Sequence, residues 1–286
     1  MLNKNIETFI ACDSEYSDAK IVLFGAPFDS TTSYRPGARF GSRVIRSESY
    51  GLETYSPYQN KDLTDVPTFD SGDIELCFGD SARALSDIEA RAQLILKDQK
   101  IPFILGGEHL VTLGAVRAAA RAHSDLRIIH FDAHADLRDD YLGCALSHAC
   151  VIRRCYDILG DGKIYQFGIR SGDKSEFEWG NGRIFTQKFN FDGLRGVLRD
   201  IGIAPVYLTV DLDVLDPSVF PGTGTPEAGG VSFNMLLEAI LAVCNEANII
   251  ACDVCELSPV YDQSGASAAV ACKIVREMIL GIGGNT

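Results

Sequence analysis

Three stretches of this chain put ionisable side chains where apolar runs end. His109 closes the run Pro102-Phe103-Ile104-Leu105 after a Gly106-Gly107-Glu108 turn. Asp132, His134 and Asp136 form an Asp-x-His-x-Asp segment after Ile128-Ile129-His130-Phe131, and Asp211 and Asp213 form an Asp-x-Asp segment after Val206-Tyr207-Leu208-Thr209-Val210. Alternate residues of an extended segment point the same way, so the members of each segment can reach one place. Four carboxylates crowded into a partly buried site repel one another unless cations neutralise them, and two divalent ions would do so. Oxygen-rich donors with two imidazoles and no thiolate favour Mn2+ over Zn2+ or Cu2+. Cys144 and Cys150 are near in sequence but lack the spacing of ligands. Bridging carboxylates would hold the ions roughly 3.5–4 Å apart. A water between them would be acidified from a pKa of ~15.7 toward ~7–9, giving hydroxide at neutral pH.

Each piece alone has a plainer explanation. A single histidine after Gly-Gly is commonly a turn residue, and Asp-x-Asp is a common transition from strand to loop. Three ionisable residues in Asp-x-His-x-Asp on a strand have no packing reason to be there. Three such strand ends together point to a metal site.

The elements that must position these residues read as an α/β fold. Short runs rich in Ile, Val, Leu and Phe at 20–25, 102–106, 127–132, 163–169, 206–213 and 249–255 predict strands. Helical spacing predicts a helix over 81–98, with Leu85, Ile88, Ala92, Ile95 and Leu96 on one face and Ser81 as cap. A second is predicted over 232–247, capped by Ser232, with Met235, Leu236, Ala239, Ile240 and Val243 inward. A third, over 264–280, carries Ala268, Ala271, Ile274, Val275, Met278 and Ile279. Fully apolar strands alternating with helices indicate a mainly parallel sheet covered on both faces, in a single domain over residues 1–286. Ligands of such sheets collect at the carboxyl ends of the strands, where the three segments stand.

Composition narrows the partners. With 39 acidic against 26 basic residues, the net charge of −13 argues against nucleic acid and anionic lipid and suits a small cationic substrate. The same charge is also what a solvated acidic surface gives. No apolar run approaches the ~20 residues of a membrane span, and the first residues lack the apolar core of a signal peptide, so a cytoplasmic location is expected. Nine scattered cysteines read as reduced thiols, and Cys252-x-x-Cys255, inside an apolar run with no second pair, reads as structural.

At these residues the sequence resembles the ureohydrolase family of arginases and agmatinases, with bacterial agmatinases the nearest subgroup. Gly106-Gly107-Glu108-His109, Asp132-Ala133-His134-Ala135-Asp136 and Asp211-Leu212-Asp213-Val214-Leu215-Asp216-Pro217 resemble its three signature segments, in order. The glycine-rich stretch from Phe220 to Gly230 and Asp253-Val254-Cys255-Glu256-Leu257-Ser258-Pro259 resemble two more. The resemblance implies a three-layer α/β/α fold with an eight-stranded parallel sheet, assembled as a homo-oligomer (trimer or hexamer). It implies two Mn2+ ions per subunit, one on His109, Asp132, Asp136 and Asp211, the other on Asp132, His134, Asp211 and Asp213, with Asp132 and Asp211 shared. The implied reaction cleaves a guanidinium C–N bond to release urea. A guanidinium stays charged at any working pH, so a carboxylate must deliver it, and Glu256 matches the family's substrate glutamate. Asp136 is placed to take a proton from the nucleophile. His148, in Leu146-Ser147-His148-Ala149, resembles the proton-shuttle histidine, although a histidine after Ser147 also suits a helix start.

The substrate's tail is read from a loop. Arginase-like members carry Asn two residues after Asp-x-His-x-Asp, where this chain has Arg138. That departure favours agmatine, which lacks the α-carboxylate, over arginine. Asp139 and Asp140 would favour a cationic tail or simply face solvent. Arg138 is expected to pair with Asp139, Asp140 or another acidic loop residue; pointing inward, it would suit the carboxylate of 4-guanidinobutanoate. Aminopropylagmatine stays open. A binuclear phosphoesterase would need a phosphate-binding lysine or arginine that the glycine-rich loop lacks. A deacetylase-type relative would want a single zinc and a different histidine pattern. An inactive relative serving as a binding or regulatory subunit would be expected to lose ligands, and all six are present with His148 and Glu256.

Overall fold

The computed structural model describes residues 2–284. Its elements run β1 (Ile21–Ala26), α1 (Gly41–Ser49), β2 (Tyr55–Ser56), β3 (Lys61–Asp62), β4 (Thr68–Asp73), α2 (Ser81–Lys97), β5 (Ile101–Gly106) and α3 (Val111–Ala122). They continue with β6 (Arg127–Phe131), α4 (Val151–Leu159), β7 (Ile164–Ile169), α5 (Lys174–Gly180), β8 (Phe185–Lys188), α6 (Leu194–Ile201), β9 (Pro205–Asp211), α7 (Phe233–Glu246), β10 (Asn248–Cys255) and α8 (Ala266–Gly283). Eight strands form one sheet in the order β4-β1-β5-β10-β9-β6-β7-β8, and every neighbouring pair is parallel. β2 and β3 pair antiparallel on their own.

Alternation along the strands divides the core. Ile21 and Leu23 of β1 join Phe103, Ile129, Leu208 and Val254 on the face covered by α1, α6, α7 and α8. Val22 and Phe24 join Ile104, Ile128, Ile164 and Tyr207 on the face covered by α2, α3 and α4. Helices on both faces explain why the central strands are mostly apolar and buried rather than alternating with solvent-facing polar residues. The three-layer parallel architecture expected from the sequence is the one observed.

Several boundaries differ from the expectation, each for a local reason. Asp80, not Ser81, caps α2: its side chain accepts from the Arg83 amide. Ser232 caps α7 as expected, accepting from Met235, but Met235 itself is exposed. α8 starts at Ala266 rather than 264, because the Asp262 side chain holds the Ser264 and Ser267 amides in a turn closed by left-handed Gly265. The sequence reading missed β4, whose Thr-Phe-Asp-Ser-Gly-Asp is too polar to signal a strand, and the edge strand β8. Among the described residues, no helix is long and apolar enough to cross a membrane.

Candidate metal centre

Four adjacent strands, β5, β10, β9 and β6, deliver the candidate residues from their carboxyl ends. His109 follows β5 through a turn that only glycine permits at position 107: a Cβ there would stand 2.0 Å from the Phe28 carbonyl oxygen. Glu256 follows β10, and its amide donates to the Gly107 carbonyl at 2.9 Å.

Alternation along an extended strand is not what brings the aspartates together. β9 ends at Asp211, and Asp213 lies in the 3-10 turn Leu212–Val214, its amide donating to Asp211 Oδ1 at 2.9 Å. β6 ends at Phe131. His134 then bridges to Ser171, and Asp136 turns into the left-handed region at φ 53°. Glu256 shares that conformation, at φ 66°. Such backbones are costly for residues with a side chain and persist where surrounding contacts enforce them.

The six expected ligands nevertheless meet. His109 Nδ1 lies 3.0 Å from Asp132 Oδ2, 3.0 Å from Asp136 Oδ2 and 3.5 Å from Asp211 Oδ2. His134 Nδ1 lies 3.0 Å from Asp213 Oδ2 and 3.5 Å from Asp132 Oδ1. Asp132 therefore presents one oxygen to each imidazole. All four aspartates are buried.

The tautomer of His109 tests whether cations fit. Asp253, buried in β10, accepts from the hydroxyls of Tyr207, Thr209 and Thr112 at 2.6, 2.7 and 2.8 Å. With its proton given to Asp253, Thr209 Oγ1 can only accept from His109 Nε2–H, 2.9 Å away. The Nδ1 lone pair then faces three carboxylates, an arrangement that repels unless a cation lies between them. The protein groups alone show the strain of missing positive charge. Burial and the Asp132 charge push Asp136 up to about 7. Burial with Asp213 and Asp132 pushes Asp211 well above the usual carboxylate range. Burial opposes a charged His109, yet Asp132 and Asp136 outweigh it and raise its pKa. A nitrogen–oxygen donor set of this kind fits hard or borderline divalent ions.

A cavity of about 230 Å3 opens over the cluster. That is below the ~300–1,000 Å3 of drug-sized sites and suits a small molecule. Glu256 and His148 both line it. Glu256 is buried, its Oε1 accepting from the His109 amide at 2.8 Å. His148 opens the 3-10 turn His148–Cys150 after Ser147, so it is a helix-start residue and a cavity residue at once. Its ring meets Tyr141 edge-on at 5.9 Å, and burial with the neighbouring His134 lowers its pKa to about 4.

The model of the arginase family matches residues 19–281. The chain belongs to the arginase family. The agmatinase of Bacillus cereus is 46% identical over 279 residues, and that of Bacillus subtilis 47% over 278, each alignment covering 96% of both chains. A crystal structure from Clostridium difficile superposes with a TM-score of 0.92 at 47% identity, covering 94% of this chain and 99% of that one. Agmatinases of the arginase family are hydrolases acting on guanidino C–N bonds.

Within this arginase-family site, Arg138 of the loop after Asp136 both lines the cavity and meets acidic partners. Arg138 pairs with Asp173 at 2.8 Å, lies 3.6 Å from Glu176 and stacks 4.5 Å from the Tyr141 ring centre. Its partners come from α5 and its cap, not from Asp139 or Asp140. Asp139 is taken by Arg154 and Arg153, and Asp140 accepts from the Gly143 amide, so neither lines the cavity. Cys252 and Cys255 are buried in β10, Cys255 Sγ lying 3.9 Å from Asp211 Oδ2.

Sequence reading missed the supporting residues. The Arg170 guanidinium donates to the carbonyls of Asp213, Val214 and Glu227, and Asp216 accepts from Gly229 and Gly230, tying down the glycine-rich loop. Glu108, beside His109 in Gly106-Gly107-Glu108-His109, accepts from Thr31 and Thr32 and so holds the loop that touches His148; burial raises its pKa to about 7.

Proposed function

We propose that this chain hydrolyses agmatine to putrescine and urea with two Mn2+ ions per subunit, a step of polyamine biosynthesis. The observation that carries the reading is the meeting of two imidazole Nδ1 atoms and four buried aspartates beneath a small cavity walled by Glu256 and His148. His109, Asp132, Asp136 and Asp211 would hold one ion, and Asp132, His134, Asp211 and Asp213 the other. When bound, the pair supplies a water acidified enough to attack as hydroxide near neutral pH.

The protein groups account for the rest. Glu256, fixed by the His109 amide and its own backbone, pairs with the guanidinium and turns the electrophilic carbon toward the aspartates. Asp136, which lines the cavity, takes the proton released as the new C–O bond forms. The tetrahedral carbon collapses, the C–N bond breaks, and the departing amine takes up that proton. His148, which lines the cavity edge-on to Tyr141, carries protons between the cavity and solvent.

Agmatine is favoured over arginine and 4-guanidinobutanoate because Arg138, though it lines the cavity, already faces the carboxylates of Asp173 and Glu176, which offset its charge toward a tail carboxylate. The similarity to the Bacillus agmatinases supports the same choice. A urea-release assay after Mn2+ loading, with agmatine, arginine, 4-guanidinobutanoate and aminopropylagmatine at matched concentration, tests it. Highest kcat/KM for agmatine is expected, and faster turnover of any other member overturns the substrate. The same reading carries one ureohydrolase domain over residues 1–286, a homo-oligomer and a cytoplasmic location, which limited proteolysis, light scattering and fractionation test.

A further inference from the structure

Beneath the centre, a row of polar side chains crosses three adjacent strands of the sheet. Thr186 of β8 pairs in register with Gln166 of β7, and Gln166 with His130 of β6. His130 is completely buried, as is Gln166, and neither faces the cavity. Buried polar groups at such positions are costly unless their hydrogen bonds serve something.

The direction of each bond follows from its partners. The Gln166 amide nitrogen donates to the Ala135 carbonyl at 2.7 Å, and its oxygen accepts from the Thr186 hydroxyl at 3.2 Å, which fixes the sense of the amide. The second amide hydrogen must then go to His130 Nδ1, 3.0 Å away. Nδ1 is thereby an acceptor, so the neutral ring carries its proton on Nε2 and donates to Asp132 Oδ2 at 2.7 Å. The other carboxylate oxygen, Oδ1, accepts from the His134 amide at 2.5 Å. Each oxygen of Asp132 is thus held by one donor from the protein. The carboxylate facing both His109 and His134 cannot rotate without breaking one of those bonds.

We propose that His130, set in its Nε2–H tautomer by Gln166 and Thr186, is a positioning residue that orients Asp132 to be shared between the two metal ions. Donors that hydrogen-bond a metal-binding side chain from behind fix its orientation and are worth about 10–100-fold in metal affinity. The inference rests on the metal centre proposed above, and the experiment separates the two. Mn2+ alone is titrated into metal-free wild type, His130→Gln, His130→Phe and Gln166→Met, with free Mn2+ followed by electron paramagnetic resonance and the melting temperature of each metal-free chain recorded. Gln places an amide N–H where Nε2–H stands; Phe fills the space without a donor.

Two ions bound by wild type, a loss of about 10–100-fold in His130→Phe and a change within about threefold in His130→Gln support the relay, since a purely structural role would not be rescued by the donor. Gln166→Met, which leaves the imidazole in place but its tautomer unset, is expected between them even if His130→Phe fails to fold. Binding as tight as wild type in both His130→Phe and Gln166→Met, or equal losses in His130→Gln and His130→Phe, would overturn the relay and leave the centre standing. Wild type that takes up no Mn2+ would overturn both.

Discussion

Replacing Glu256 with Gln should separate turnover from metal binding and from stability, with effects of opposite sign. The amide keeps an oxygen for the His109 N–H that Glu256 Oε1 now accepts at 2.8 Å, so His109 stays in place. What is lost is the charge that faces the guanidinium in a buried cavity. Removing one partner of a desolvated ion pair costs about 3–5 kcal/mol, and at about 1.4 kcal/mol per tenfold that is roughly 10^2–10^4 in kcat/KM. Stability should move the other way in the metal-free protein. Burial, with the like charges of Glu108 and Asp213, raises the Glu256 pKa well above the usual range. An acid whose pKa is raised by folding destabilises the fold wherever it is ionised in the unfolded chain, so neutralising it should raise Tm near pH 7. Each kcal/mol of relieved repulsion is worth roughly 2–4 °C in a chain of this size. Urea release, elemental analysis and thermal melting read the three quantities. Agmatine turnover within tenfold of wild type with both ions bound would remove Glu256 from substrate binding.

His134→Ala should leave fewer than two Mn2+ per chain by elemental analysis, and full occupancy would contradict its place as a ligand. Gly107→Ala should fail to fold or melt far below wild type, because its Cβ would stand 2.0 Å from the Phe28 carbonyl oxygen; a Tm within about 2 °C of wild type, less than a kcal/mol for a chain of this size, would refute the close approach. Arg138→Gln removes a half-exposed ion pair and a ring stack worth about 0.5–1 kcal/mol each. It should lower Tm by a few degrees while changing the ratio of kcat/KM for 4-guanidinobutanoate and agmatine by less than tenfold. A tenfold loss confined to 4-guanidinobutanoate would show that Arg138 reads the tail.

The candidate ligands were legible because carboxylates and imidazoles at the ends of apolar runs have no packing role, and strand ends are where parallel sheets bind. The way they converge was not. The bends at Asp136 and after Asp211 are set by contacts with Ser171 and by a side-chain bond to the Asp213 amide, which no local periodicity reports. The partners of Arg138 were equally hidden, since Asp173 and Glu176 stand 35 or more residues away and reach it only through the packing of α5. β4 escaped because its strand pairing, not its composition, makes it extended. His130 and Gln166 sit inside apolar strands as single polar residues, and their register across β6, β7 and β8 gives them meaning.

The place of β10 in the sheet bears on how the molecule is made. It is the last strand of the described chain, yet it lies in the middle of the sheet, between β5 and β9. Until residues 248–255 have inserted there, the edges of β5 and β9 have no partner on that side, and His109 lacks the wall that Glu256 and Asp253 provide. Such long-range parallel pairing is slow, because the intervening loop must close before any contact rewards it. A chain lacking this strand still carries all six candidate ligands but not Glu256, which accepts from the His109 amide, or Asp253, which orients Thr209 beneath the His109 ring. Truncation before residue 248 should leave β5 and β9 unpaired on that side and weaken Mn2+ retention at the proposed centre.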